Sequence, residues 1–300
     1  MLFYNPIYSD LALPPRHRFP ILKYAKLKDR LDQSSLNKHI FLANNKASNE
    51  QLKLCHDNTY IEAFCKGTMS PPDIKRMGFP WSPELVERTL LSVGASIQAA
   101  HTALEKGFAA NLSGGYHHAY ADKASGFCIF NDLAVAGCDL IAKGKAETVL
   151  ILDCDVHQGD GTAAILKSRA DIITCSIHCE QNFPRLKELS DYDFALPTNT
   201  QDPAYLDTLE QALSLCTRLH SPDIILYNAG ADIFTQDELG NFAITLAGVR
   251  RREELILSHC YHHSIPLMCA LGGGYQRNLT RLVDVHEQLF QALLHSGFVH

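Results

Sequence analysis

Hydrophobic and polar positions change rhythm along this 300-residue chain. Over residues 1–80 short apolar pieces alternate with Pro-rich and polar connections. Pro14-Pro15 and Pro20 bracket RHRF, and Ser70-Pro71-Pro72 opens a loop running through Gly78-Phe79-Pro80. Ser82-Pro83-Glu84 then reads as a helix start: Ser at the N-cap, Pro at the first helical position, an acid in the first turn. Beyond it Leu85, Leu90, Val93, Ile97, Ala100 and Leu104 keep near-helical spacing. Gly107 is expected to stop that helix.

From residue 146 onward short apolar runs alternate with amphipathic stretches. AETVLILDCDV, DIITCSIH, PDIILYNAG and IPLMCALGGG read as strands. GDGTAAILKS, PAYLDTLEQALSLCTRLH, FAITLAGVRRREELILSHCYHH and TRLVDVHEQLFQALLHS read as helices. Uninterrupted runs such as Val149-Leu150-Ile151-Leu152 and Ile224-Ile225-Leu226 suit strands covered on both faces. They predict an α/β fold with a mostly parallel central sheet flanked by helices. No repeat, low-complexity segment or linker divides the chain, so one domain over residues 1–300 is expected.

Composition narrows the class. With 27 basic and 33 acidic residues the net charge is −6, which argues against a nucleic-acid partner, because phosphate contacts need a basic excess. Hydrophobic residues are 46% and charged residues 20%, enough for a large buried core. The start, MLFYNPIYSDL, has no basic residue before an apolar stretch and predicts no signal peptide. No apolar run reaches the roughly 20 residues of a membrane span, so no membrane partner is expected. The ten Cys include no C-x-x-C and read as reduced, mostly buried thiols of a cytoplasmic protein. The 15 His are the count that calls for chemistry.

In open α/β sheets ligands gather at the carboxyl ends of the strands. The first such end is Asp153-Cys154-Asp155-Val156-His157. In an extended chain Asp153, Asp155 and His157 would point to one side. Converging carboxylates and an imidazole call for a counter-charge, most simply a divalent metal. A helix cap with a salt-bridged Asp is the alternative. Asp232, in Asn228-Ala229-Gly230-Ala231-Asp232, would add a third ligand. Asp155, His157 and Asp232 then form an open two-carboxylate, one-imidazole set suited to Zn2+, with Fe2+ and Mn2+ as alternatives. Gly114-Gly115-Tyr116-His117-His118 offers either an acid/base histidine pair or a solvated loop. In Gly272-Gly273-Gly274-Tyr275 the glycines allow close backbone approach and the tyrosine can donate to an oxyanion. No Lys, Ser or Thr follows, which argues against a phosphate loop. Three signals read as structural: His259-Cys260-Tyr261-His262-His263 as an exposed helix end, Arg250-Arg251-Arg252 with Glu253-Glu254 as a solvated helix face, and Cys154 as core packing.

Taken together the sequence resembles the metal-dependent histone deacetylase family, with its arginase-like α/β fold. The resemblance spans nearly the whole chain. It rests on GGYHHA (114–119), GFCIFND (126–132), ILDCDVHQGDGT (151–162), SIH (176–178), NAGAD (228–232) and LGGGY (271–275). PPRHRFPILKY, MGFPWSPELVERT and FAITLAGVRRRE look most like the class IV branch and its bacterial relatives. The resemblance implies zinc ligands at Asp155, His157 and Asp232, tandem histidines at His117 and His118, and a catalytic tyrosine at Tyr275. It implies that Asp153 and Asp160 hydrogen-bond His117 and His118. A structural potassium ion would be held by Asp153, by the backbone oxygens of Asp155 and His157, and by Ser176 and Ile177. Phe127 and Phe183 would wall an acyl-lysine tunnel kept open by Gly126, with Gly273 on the substrate side and Cys128 buried close by. The chain departs from many relatives at Ser113, where they carry Pro. In the 67–82 loop Asp73 is the only carboxylate available to grip a substrate backbone.

The implied activity is zinc-dependent hydrolysis of an acyl-lysine amide on proteins or peptides. Deacetylation of a small acetylated amine such as an acetylpolyamine is the nearest alternative, disfavoured by the absence of a long insertion. A non-enzymatic metal-binding relative and a binuclear ureohydrolase are further options. The first is opposed by the full residue set, and the second would leave the tyrosine without a role. The acyl group is not legible.

Overall fold

The computed structural model describes residues 1–299. Eight strands form one sheet: β1 (Leu2–Tyr4), β2 (Ile40–Leu42), β3 (Phe108–Asn111), β4 (Val149–Asp153), β5 (Ile172–Cys179), β6 (Tyr192–Leu196), β7 (Ile224–Asn228) and β8 (Leu267–Ala270). Their order is β2-β1-β3-β8-β7-β4-β5-β6, and every neighbouring pair is parallel. The run Val149–Leu152 is 0–1% exposed, as expected of a strand covered on both faces.

Among the described residues ten α-helices accompany the sheet: α1 (Lys23–Asp32), α2 (Asn49–Leu52), α3 (Asn58–Lys66), α4 (Pro71–Met77), α5 (Pro83–Lys106), α6 (Asp132–Ala142), α7 (Asp160–Leu166), α8 (Asp202–His220), α9 (Leu246–His262) and α10 (Leu279–Leu293). Helix α5 begins and ends where its sequence signals lie. Ser82 accepts from the Leu85 amide, and Gly107, at φ +83°, donates to the Ala103 carbonyl. Among the described residues no helix is long and apolar enough to cross a membrane.

Three expectations change. The 70–80 segment is not all loop, because Ser70 caps a short helix whose first residue is Pro71. Helix α9 starts at Leu246 rather than at Phe242: Thr245 accepts from the Gly248 amide and so sets the N-terminus. The run Arg250-Arg251-Arg252 is not uniformly solvated. Arg250 and Arg251 pair with Glu254, whereas Arg252 and Glu253 are each 1% exposed. All ten cysteines are free thiols, nine of them buried, and Cys154 is fully buried.

The order of the middle strands positions the site. β3, β8, β7 and β4 are consecutive neighbours. Their C-terminal residues Asn111, Ala270, Asn228 and Asp153 stand in register across the sheet. Each of these four ends runs into one of the polar segments singled out in the sequence.

Candidate active site

Strand β4 ends at Asp153, so Asp155 and His157 lie in the loop beyond it and simple strand alternation does not apply to them. The three side chains therefore separate. Asp153 turns to His117, whose Nδ1 lies 2.6 Å from its Oδ2. Asp155 and His157 meet Asp232, from the loop after β7. Their ligand atoms, one from each residue, all lie within 4.8 Å of one another and all three residues are buried. His157 Nδ1 lies 2.9 Å from Asp155 Oδ1 and 3.2 Å from Asp232 Oδ2.

Electrostatics test whether this set suits a cation. Burial works against charge on His157, yet Asp155 and Asp232 outweigh it and hold its pKa up to about 10. Burial and the neighbouring Asp155 raise the pKa of Asp232. Its Oδ1 accepts from the Val156 amide at 3.0 Å, while Oδ2 is buried without a well-aligned donor. Two buried carboxylates sharing one imidazole proton, with an acceptor left over, are a donor set whose proton a divalent ion can displace. Gly273, at φ +54°, completes the enclosure: a side chain there would strike Asp155 Oδ2 and Asp232 Oδ2, both about 2.5 Å from its Cβ position. The structure thus sets Gly273 against the Asp155 and Asp232 carboxylates.

The histidine pair follows the glycine turn after β3. Gly114 and Gly115 have φ of +91° and +76°. Asp132, at the start of α6, accepts the amides of Gly115 and Tyr116 at 3.2 and 2.8 Å. Ser113 adds a hydroxyl contact to Tyr116 at 2.9 Å and one to Ser92 at 3.0 Å, so this loop is tied down without a proline. The rings of His117 and His118 lie 4.0 Å apart. His118 Nδ1 meets Asp160 Oδ1 at 2.6 Å, and Tyr120 donates to the other oxygen of Asp160. Burial disfavours charge on both rings, but Asp153 and Asp155 hold the pKa of His117 up to about 9. His118 is lowered, by burial and then by the charge on His117.

Tyr275 stands opposite, its ring 6.2 Å from that of His157. Burial and the nearby carboxylates Asp155 and Asp232 raise its pKa, so the phenol stays protonated. Tyr275, His157 and His118 open on a cavity of about 250 Å3 whose other walls are Gly126, Phe127, Asn182, Phe183 and Leu239. Phe127 adopts φ +67° and donates its amide to the Met77 carbonyl. A side chain on Gly126 would meet His118 Cδ2 at 2.8 Å, so only glycine leaves that wall open. Phe183 stands edge-on to His118 at 4.8 Å. A wider recess of about 640 Å3 between the ends of α8 and α9 contains His259 and His263. Its one carboxylate, Asp223, is already occupied by the Glu147 and Thr148 amides, and the site chemistry does not gather there.

Ser176 lies beside Asp153 in the sheet, with Ile177 next to it in β5. Asp73 is not among the cavity-lining residues: it accepts from the Ser70 hydroxyl at 2.6 Å and pairs with Arg76 within α4. Four polar residues escape the sequence reading. Asn228 donates to Asp153 at 2.9 Å, and its place in NAGAD was a usable signal. Asp237 accepts the Tyr275 amide at 2.7 Å. Lys23 is 2% exposed and donates to the Gly273 carbonyl; burial lowers its pKa to about 8 against the pull of Asp232, Asp237 and Asp155. Arg252 was hidden inside a run of charges.

Comparison with known proteins identifies the family. The histone deacetylase domain family matches residues 17–292. An uncharacterised protein of Picosynechococcus is 41% identical over 96% of both chains. Histone deacetylase 2 of Arabidopsis thaliana is 26% identical, over 94% of this chain and 76% of its own. The acetoin utilization protein AcuC of Bacillus subtilis is 28% identical, over 91% of this chain and 76% of its own. The crystal structure of the HDA15 HD domain shares the fold, with a TM-score of 0.81 at 20% identity over 98% of this chain and 90% of that chain. A sheet of eight parallel strands with this family's sequence pattern along nearly its whole length makes the chain a member of the histone deacetylase family.

Proposed function

We propose that this chain hydrolyses the amide of an acylated lysine side chain on proteins or peptides, releasing a carboxylate and a free amine. One observation carries the reading. A buried Asp155, His157 and Asp232 cluster, a histidine pair with opposed proton affinities and a protonated tyrosine lie together at one mainly apolar cavity, which His157, His118 and Tyr275 line.

Asp155, His157 and Asp232 would hold a divalent ion, zinc by the character of the donors and Fe2+ as the alternative. Bound there, such an ion supplies Lewis-acid polarisation of the amide carbonyl and acidifies water. Phe127 and Phe183 accept the aliphatic lysine stem, and Gly126 leaves room for it. His118, kept neutral, takes a proton from the attacking water and returns it to the leaving amine. Asp160 holds its Nδ1, leaving Nε2 for that transfer. His117, held cationic by Asp153, adds positive charge where negative charge develops. Tyr275 donates its hydroxyl to the tetrahedral oxyanion. A structural potassium ion at Asp153, Asp155, His157, Ser176 and Ile177 and membership of the class IV branch belong to the same reading, carried by the motifs at 151–162, 176–178, 14–24 and 242–253.

The test is a panel of acyl-lysine peptides and acetylated polyamines, assayed with chelator and after zinc is restored. Chelator-sensitive, zinc-restored hydrolysis of the peptides is expected. Turnover of polyamines alone would move the substrate to small amines. Turnover of nothing by zinc-loaded protein would remove the deacylase reading.

A further inference from the structure

Within α9 the charge run divides sharply, and Arg252 goes to the interior, 1% exposed. Desolvating a guanidinium costs several kcal/mol unless its donors are well used. Here they are. Nε and Nη2 reach Glu253 Oε1 at 3.1 and 2.5 Å. Nη1 donates to two main-chain carbonyls, Cys154 at 3.2 Å and Gly230 at 2.7 Å. Glu253 is itself held by the Tyr227 hydroxyl at 2.8 Å.

The two carbonyls belong to different loops. Cys154 lies between Asp153 and Asp155, after β4, and Gly230 lies two residues before Asp232, after β7. The loops touch there: a side chain on Gly230 would collide with the Asp155 backbone, and the Cys154 amide donates to the Asn228 carbonyl at 3.2 Å. Asp155 and Asp232, carried on these loops, are buried like charges that repel. A single cationic nitrogen behind both loops opposes their separation.

We infer that Arg252 is a positioning residue that clamps the Cys154 and Gly230 carbonyls, and through them sets the spacing of Asp155 and Asp232 and the retention of a metal between them. This rests on the reading that Asp155, His157 and Asp232 bind a divalent ion. Lysine could not replace the arrangement, since a point charge cannot serve two carbonyls and a carboxylate at once in the fixed fork of a guanidinium.

The experiment follows zinc transfer from the loaded full chain to a chromogenic chelator, and the visible d–d spectrum of the cobalt-substituted protein. The variants are Arg252→Lys, the double variant Arg252→Met with Glu253→Leu, and Tyr227→Phe. Arg252→Lys should release zinc about 10–100-fold faster than wild type, the range typical when a residue supporting a metal ligand is lost, and its cobalt spectrum should change. The double variant replaces the ion pair with apolar groups, and the same acceleration is expected from it; it decides the matter if Arg252→Lys does not fold. Tyr227→Phe removes a hydrogen bond of the same buried cluster but leaves both carbonyl bonds. It should lower Tm while releasing zinc at the wild-type rate. Release within twofold of wild type from folded Arg252 variants, with an unchanged cobalt spectrum, overturns the inference. So does Tyr227→Phe accelerating release as much as Arg252→Lys for the same loss of Tm. A wild-type chain that retains neither zinc nor cobalt instead overturns the metal reading beneath it.

Discussion

Two imidazoles 4.0 Å apart cannot both carry a proton cheaply, and the surrounding carboxylates decide which one does. His117 takes the charge through Asp153, which leaves His118 neutral for the role of base proposed above. Because the His118 pKa is lowered, the neutral base persists below its ordinary value of 6.5. The acid limb of kcat/KM should therefore fall below pH 6.5; a limb near pH 9 would mean that His117 is the titrating base. Tyr275→Phe should lower kcat by about 10²–10³-fold with KM little changed, as when one oxyanion donor is lost. Metal analysis of that variant should find zinc unchanged. Near-normal turnover would remove the tyrosine from the mechanism. Residues of this kind were legible because each sits in a short motif with its own chemical logic. Lys23 and Arg252 were not, since a lysine or arginine in a helix reads as solvated until its neighbours are known.

Helices are tied to one another by a few buried polar links, and Asp139 of α6 makes one. It is 2% exposed, meets His101 of α5 at 2.7 Å and Lys143 at 2.9 Å, and accepts from Gln51 of α2. Burial would raise its pKa, yet these donors hold it down to about 2. A carboxyl whose folded pKa lies below its unfolded value stabilises fully above pH ~4 and loses that contribution as pH falls from about 4 to 2. Asp139→Asn should thus cost about 1 kcal/mol at pH 7 once solvent screening of the shift is allowed for, and chemical denaturation should find a smaller cost at pH 3. An equal cost at both pH values would mean that shape rather than charge is responsible. Element boundaries were readable where capping chemistry was explicit, as at Ser82 and Gly107. They were not in β1 and β2, whose three residues each are too few to display alternation. Edge strand β6 was missed because its YDFAL lacks the apolar run of its neighbours.

At the scale of the whole molecule, a bound ion stabilises the native state by mass action. Removing zinc should lower Tm by roughly 5–10 °C, taking about 2.7 kcal/mol at hundredfold saturation and about 2–4 °C per kcal/mol. Calorimetry with and without chelator measures it; an unchanged Tm would speak against tight binding at Asp155, His157 and Asp232. The sheet supplies the stiffness behind that site. Leu226, fully buried in β7 between β4 and β8, should cost about 2–5 kcal/mol as Leu226→Ala, read as a fall in the denaturation midpoint.

Local chemistry along the chain was enough to specify an α/β fold, the α5 caps and most of the candidate site, because strand runs, caps and polar strand ends are encoded within about ten consecutive residues. Tertiary structure decided what depends on residues far apart. It made β3, β8, β7 and β4 neighbours, so that four separate motifs meet at one edge. It divided Asp153 from Asp155 and His157 by ending the strand between them, pairing Asp153 with His117 and gathering Asp155 and His157 with Asp232. It also chose one arginine of three for the interior, where the two loop carbonyls behind the site and the equally buried Glu253 take up its donors.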